Sequence, residues 1–322
     1  MTSAALSGVE PEQKSFLWPS DTPSMHRERL AVNPRVPSSV VEGTYRCSPP
    51  LVRPSKLTSK ENGGIGKNLS EGWNLNFAVG CTHACPFCYV DSIHKRFGVS
   101  RYGKAVLQQW GDYLLIPENL DEAIEKTPWE RWRGIEVMMS STHDPYLPKL
   151  AGAARKILEA ALPAGVRLCV QTRSYLVLKD LKLLTEYPEQ VRLQVSIATA
   201  NGNFARIIEP RVPAPDRRFD ILRKAKDAGL NVGVILAPIF PPCDARPDFR
   251  EDLETIAAEL EGTAPGQIYG ESFHVRGQNA ALVERALGQP LNSNGFDSTA
   301  AFHFRRILRK HRLHGTWWPE RS

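Results

Sequence analysis

Three cysteines within eight residues constrain this chain more than any other feature: Cys81, Cys85 and Cys88 in the stretch Gly80-Cys81-Thr82-His83-Ala84-Cys85-Pro86-Phe87-Cys88-Tyr89. An apolar run over residues 75–79 precedes them and reads as a strand, so the thiols are presented at a strand end. Thiolates this close together are metal ligands, suited to zinc or to iron–sulfur clusters. The spacing is C-x3-C-x2-C with no fourth cysteine nearby. A four-iron cube held here keeps three irons on cysteine and leaves one without a protein ligand, open to chemistry. A structural zinc site closes its shell with four ligands, often as two separated pairs. No second pair follows, and although His83 or His94 could complete a tetrahedron, a histidine between two cysteine ligands is poorly placed to fold back onto the same ion. The cluster is therefore favoured, and a non-catalytic nucleic-acid-binding protein with a zinc knuckle is the rival. Cys47, Cys169 and Cys243 stand singly and read as ordinary thiols rather than as disulfides.

At 322 residues, with 42% hydrophobic and 24% charged, the chain can bury one large core. A net charge of +6 permits an acidic partner without requiring one. No apolar run approaches the ~18 residues of a membrane helix, and the N-terminus lacks the pattern of a signal peptide. The expectation is a cytoplasmic protein with no membrane association, a setting that suits an oxygen-sensitive cluster.

Residues 1–72 are rich in Pro, Ser and charge without sustained period and read as an extended arm. Within it Gly63-Gly64-Ile65-Gly66-Lys67 does not match the spacing of a phosphate loop. After the cysteines, 91–127 reads as a long connection with one short helix over 119–126. Strands are then expected over 135–141, 167–172, 191–199, 231–237 and 268–275, with helices over 148–161, 177–187, 215–228 and 249–260. Counting the strand before the cysteines, six strands alternate with helices, which makes an α/β chain with a parallel sheet, either open or closed towards a barrel. In both architectures ligands bind at the C-terminal strand ends. Here those ends are polar: Ser140-Ser141-Thr142-His143-Asp144-Pro145-Tyr146, then Gln171-Thr172-Arg173, then Ser196 to Thr199 followed by Glu209-Pro210-Arg211. Together they offer Asp144 to an ammonium, and Arg173 with Ser196 to a carboxylate.

The C-x3-C-x-aromatic-C loop at the end of a first strand resembles the signature of the radical S-adenosylmethionine (SAM) superfamily. That resemblance implies a partial (β/α)6 TIM-like barrel over residues 73–275, with the arm 1–72 and a C-terminal extension 276–322 outside it. It implies a [4Fe-4S] cluster on Cys81, Cys85 and Cys88, SAM chelated at the open iron, Phe87 beside the adenine, and an electron donor such as flavodoxin or ferredoxin. The T-x-D-P-Y-x-P, T-[KR] and S-I-x-T to E-P-R segments further resemble the spore photoproduct lyase subgroup. By position, Asp144, Arg173 and Ser196 would hold the methionyl group beside Ser140 and Ser141, and Tyr89 would face the substrate as the catalytic side chain.

Two positions depart from that subgroup. The lyases carry a hydrogen-donating cysteine where Ser141 stands and a second tyrosine where Phe87 stands. An O–H bond is far stronger than an S–H bond, so serine cannot replace cysteine in that role, and the resemblance implies SAM binding without the repair substrate. The substrate stays open among a nucleic acid, another anion, a peptide and a small molecule. Towards the C-terminus a helix is expected over 298–312, capped by Ser298 or Thr299, with Phe302, Ile307, Leu308 and Leu313 apolar and Arg305, Arg306, Arg309, Lys310 and Arg312 on its other face. That face with Trp317 and Trp318 could grip a nucleic acid, but a solvated basic face with tryptophans packed on the barrel is the favoured reading.

Overall fold

Six strands form the parallel run anticipated from the apolar segments: β3 (Trp73–Leu75), β5 (Glu136–Met139), β6 (Arg167–Thr172), β7 (Val191–Ser196), β8 (Asn231–Ile239) and β9 (Gln267–Ser272). Numbering counts two strands in the arm, β1 (Val41–Tyr45) and β2 (Val52–Pro54), and β4 (Tyr113–Pro117) between β3 and β5. The structure, a computed structural model, describes residues 40–57, 66 and 68–318. Most of the arm and of its basic, glycine-rich loop therefore lies outside the described residues.

The sheet is a partial TIM-like barrel that both extensions enlarge. On one edge β2 pairs antiparallel with β3, and on the other β10 (Thr316–Trp318) pairs parallel with β9. Side chains alternate along each strand. Met138, Cys169, Ile235 and Tyr269 face one way, into a cluster with Leu69, while their neighbours Val137, Met139, Leu168, Val170 and Val234 join the main core. At the N-terminal strand ends a polar layer closes the barrel: Arg192 pairs with Glu136 at 2.7 Å and donates to the Asn68 carbonyl at 3.0 Å. The opposite ends remain open for a site.

The helices are α1 (Val90–Phe97), α2 (Val99–Tyr102), α3 (Leu120–Glu125), α4 (Ala151–Ala161), α5 (Leu181–Thr185), α6 (Gly202–Ile208), α7 (Pro215–Asp227), α8 (Phe249–Glu261), α9 (Asn279–Leu287) and α10 (Phe296–Lys310). Among the described residues none is long and apolar enough to cross a membrane.

Several expectations are corrected. The strand expected over 75–79 stays in the sheet only to Leu75, after which Val79 exchanges backbone hydrogen bonds of 3.0 and 2.8 Å with Leu115 of β4. The long connection 91–127 contains α1, α2 and β4, and β4 pairs in parallel with β1 from the arm. The helix expected over 177–187 is a 3-10 turn, Tyr175–Asp180, opened by the Ser174 hydroxyl, followed by the short α5. At the C-terminus α10 starts after Gly295 in a left-handed conformation (φ 66°), not at Ser298 or Thr299. Its buried face is Ala300, Ala301, Phe304, Ile307 and Leu308, leaving Phe302 59% exposed beside the arginines.

Neither C-terminal tryptophan extends into solvent as a stacking platform. Trp317 is 3% exposed, 5.2 Å from the Phe304 ring, and its indole N–H donates to Asp297 at 3.3 Å. Trp318 lines the cavity at the barrel mouth. Because Trp317 fills the space between β9 and α10, Trp317→Ala is expected to cost about 3–5 kcal/mol in chemical denaturation. Arg309→Ala on the exposed face should change stability by no more than about 0.5 kcal/mol.

Candidate active site

The cysteine loop is shaped by backbone constraints before any metal is considered. Gly80 has φ 95°, and a side chain there would run into the Tyr113 carbonyl, so only glycine fits between β3 and β4. Ala84 takes φ 57° and packs on Gly111, where a Cβ would collide with it. With the loop so held, Cys81, Cys85 and Cys88 all line one cavity of about 390 Å³ at the C-terminal strand ends. Burial pushes the Cys81 thiol up to about 11, Cys88 up to about 12 and Cys85 well above its ordinary value, while the Arg173 guanidinium acts on all three in the opposite sense. Thiols this buried become thiolates only when a metal supplies the compensating charge. None is in a disulfide, and among the described residues no three His, Cys, Asp or Glu side chains are arranged around a single ion. Three free thiols facing one cavity are a donor set that would fit an iron–sulfur cluster.

The histidines considered as a fourth ligand are engaged elsewhere. His83 donates from Nε2 to Asp144 at 3.0 Å, and its Nδ1 lies 3.2 Å from the Arg211 carbonyl, so both ring nitrogens are occupied away from the thiols. His94 pairs through Nδ1 with the Tyr113 hydroxyl at 3.0 Å, and burial lowers its pKa to about 4.

Asp144 is in the site but not as a free acceptor. One oxygen accepts from the Tyr146 N–H at 2.8 Å and the Thr172 hydroxyl at 2.7 Å; the other accepts from the Arg173 N–H at 2.7 Å and from His83. Every in-plane lone pair is taken, which corrects the simple picture of an open ammonium acceptor. Burial alone would raise its pKa, but the His83 hydrogen bond and the donors from Arg173 and Thr172 outweigh burial and hold it below the ordinary carboxylate value.

Arg173 points its Nε at Glu209, 3.0 Å away, and its guanidinium lies 5.7 Å from the Phe87 ring centroid. Glu209 is also gripped by the fully buried Arg218 at 2.9 and 2.6 Å. The Glu209-Pro210-Arg211 segment thus supplies the counter-ion for Arg173, while Arg211 ties back to Asp112 at 3.0 Å. Ser140 and Ser141 line the cavity and are ordered by Asn76, which accepts from the Ser140 hydroxyl at 2.8 Å and the Ser141 N–H at 3.0 Å. Tyr89 donates its hydroxyl to the Ser141 carbonyl at 2.8 Å. Ser196 alone of the anticipated set is not at the cavity: it is fully buried, behind Gln171, whose amide nitrogen lies 3.2 Å from its hydroxyl.

Sequence reasoning missed Asn74 and Asn76, His83 in its bridging role, and a group at and beyond the end of the sixth strand: Glu271 within β9, then His274, Arg276 and Asn279, all four at the cavity. An asparagine pair flanking an apolar turn, and charged residues directly after the last strand, were the available signals.

A parallel partial barrel with a three-cysteine loop at the C-terminal end of its first strand defines a class of metal-dependent, SAM-using enzymes. The Radical SAM superfamily model matches residues 75–256, more than half the chain, and the chain belongs to that superfamily as a radical SAM enzyme. Membership implies an iron–sulfur cluster and SAM. The uncharacterized protein ORF301 of Acidianus two-tailed virus is 57% identical over 280 residues, covering 87% of this chain and 93% of its own length. Among solved structures, a point mutant of spore photoproduct lyase superposes with TM-score 0.58 at 16% identity, covering 86% of this chain and 81% of that one. A double mutant of the same lyase with bound AdoMet and dinucleoside spore photoproduct gives TM-score 0.57 at 16% identity, covering 76% of each chain. At such identity the likeness is one of fold.

Because Asp144 ties the cysteine loop to β6, Asp144→Ala should do more than weaken a ligand. It strips acceptors from four buried donors, for which a loss of about 3–5 kcal/mol is expected. Its depressed pKa makes the wild-type contribution complete above the ordinary carboxylate range and lost as pH falls through the lower folded value. Melting midpoint and iron bound per chain, compared with wild type at pH 7, check this: an unchanged midpoint with only SAM affinity reduced would contradict it.

Proposed function

We propose that the enzyme carries a [4Fe-4S] cluster on Cys81, Cys85 and Cys88, binds SAM across the strand ends, and abstracts hydrogen from a substrate other than spore photoproduct. The observation that carries this reading is the convergence of three free thiols, Arg173 and Asp144 on one cavity. When bound, the cluster supplies the electron that cleaves the SAM sulfonium to methionine and a 5'-deoxyadenosyl radical, which takes the hydrogen atom.

The chain's own residues prepare that cavity. Arg173, fixed by Glu209, offers a cation to the methionyl carboxylate. Asp144 keeps negative charge near the ammonium while its hydrogen bonds hold the strand ends in place. Phe87, edge-on to Phe240 at 5.7 Å, gives the adenine an apolar face. Ser140 and Ser141 present hydroxyls in positions set by Asn76, and Ser196 acts through Gln171. Tyr89 offers a phenolic hydrogen at the cavity wall, held on the Ser141 carbonyl until used. Electrons come from a small donor such as flavodoxin or ferredoxin.

Cys81→Ala, Cys85→Ala and Cys88→Ala should each abolish cluster absorbance and release of 5'-deoxyadenosine after anaerobic reconstitution, while Cys169→Ala and Cys243→Ala keep both. About four irons per chain are expected; one zinc and no iron would instead support the zinc-knuckle alternative.

The second reading, repair of spore photoproduct, is favoured by fold likeness but opposed by Ser141. Its hydroxyl oxygen accepts from Asn74 and, at 3.3 Å, from Asn76, and no thiol stands in its place to return hydrogen to a product radical. Incubation of a dinucleotide spore photoproduct with reconstituted enzyme, SAM and dithionite should give no clean multiple-turnover repair by chromatography. Efficient formation of restored thymidine units would put the repair substrate first.

A further inference from the structure

The turn from β9 into α9 closes over the cysteine loop. Asn279, the first residue of α9 and 4% exposed, donates to the Phe87 carbonyl at 3.1 Å and the His274 carbonyl at 3.0 Å, and accepts from the Arg276 N–H at 2.8 Å. Gly277 lies so close to Ser92 of α1 that a Cβ would collide with it. This latch places the Arg276 guanidinium 5.8 Å from the Tyr89 ring centroid, in the same cavity as the thiols.

Arg276 is not saturated there. Among the described residues its guanidinium makes one hydrogen bond, to Glu271 at 3.3 Å, rather than the two-pronged contact of a structural arginine–carboxylate pair. Its side chain is 41% exposed. His274 adds a solvent-shielded Nε2 with no hydrogen-bond partner, 3.7 Å from the same Glu271 oxygen. The N-terminal end of α9 begins at the cavity wall, a position that favours negative charge. Arg173, the other arginine of the cavity, is paired through Nε with Glu209 and is assigned above to the methionyl carboxylate. Burial raises the Glu271 pKa, with Asp297 adding to the rise and Arg276 opposing it, to about 7. Near neutral pH Arg276 therefore has only a partly ionised partner.

We propose that the substrate is anionic and that Arg276, with His274 and the start of α9, holds its phosphate or carboxylate group beside Tyr89. Together with the rings of Tyr89 and Trp318, the subsite suits an aromatic body carrying such a group. The substrate role rests on the radical SAM reading above, whereas anion binding itself does not.

The test compares phenyl phosphate with phenol, titrated into reconstituted holoenzyme at saturating SAM and neutral pH. Wild type is expected to bind phenyl phosphate at least about tenfold more tightly than phenol, with that advantage lost in Arg276→Gln and partly kept in Arg276→Lys, whose point charge lacks the fork. Iron content and melting midpoint verify that the variants fold. Equal affinity for the two probes in wild type, or undiminished phenyl phosphate binding in Arg276→Gln, overturns the proposal. A single-stranded oligonucleotide that displaces phenyl phosphate from wild type assigns the anion to a phosphodiester backbone, and failure to displace it assigns a small molecule. Should the holoenzyme not bind SAM, the cofactor reading fails while the comparison of probes at Arg276 still stands.

Discussion

The site depends on one buried carboxylate satisfied from three directions. Asp144 belongs to the turn after β5, yet its donors come from its own turn through Tyr146, from the end of β6 through Thr172 and Arg173, and from the cysteine loop through His83. An ionised carboxylate this buried is tolerable only if all its acceptor positions are filled. That requirement fixes the distance between the cysteine loop and the second and third parallel strands. A few residues further along the barrel Glu209 does the same for two arginines: Arg218 donates to both Glu209 and the Ser196 carbonyl, and Arg173 is left with its charge directed at the cavity. The short polar motifs at the strand ends are thus organisers first, and they set the side chains that face the cavity.

This division of labour explains which parts of the molecule were legible in the sequence. β6 and α7 lie within a residue of where periodicity placed them, because a strand buried on both faces and an amphipathic helix each carry their own pattern. The cysteine triplet was readable because thiolate spacing is local. The strands of the arm were not: Val41–Tyr45 becomes a strand by pairing with Tyr113–Pro117, some seventy residues away, and nothing in its own composition reveals that partner. Phe302 misled for the opposite reason. It sits in an apolar-looking helix, but the register set by Phe304, Ile307 and Leu308 turns it outward.

The roles of Asp144 and Ser196 could not be read from residue type. A carboxylate on a strand end looks like a ligand group whether its acceptors are free or used, and only the positions of Thr172, His83 and Tyr146 decide between these. Ser196 points into a strand-end layer already covered by Gln171. His83 shows the converse: inside a cysteine motif it resembles a metal ligand, and its two hydrogen bonds make it the strut between Asp144 and the Arg211 carbonyl.

The two ends of the barrel are finished differently, and the difference locates the chemistry. At the N-terminal end Arg192, Glu136, Gln194 and Gln267 bond mainly to one another and to the Asn68 carbonyl, with the Gln194 Oε1 left unpaired. At the C-terminal end three cavity-lining side chains, His143, Gln171 and His274, each leave a buried polar atom unpaired beside thiols that burial keeps protonated. His143 Nδ1 lies 3.1 Å from the Ser140 hydroxyl oxygen, and its Nε2 is the atom without a partner. Unpaired buried groups are costly in a chain that gains nothing from them. Because these three meet on the wall of one cavity, where three thiols and Arg173 also lie, a bound ligand can recover that cost, and binding draws on polar groups that the fold itself leaves unspent.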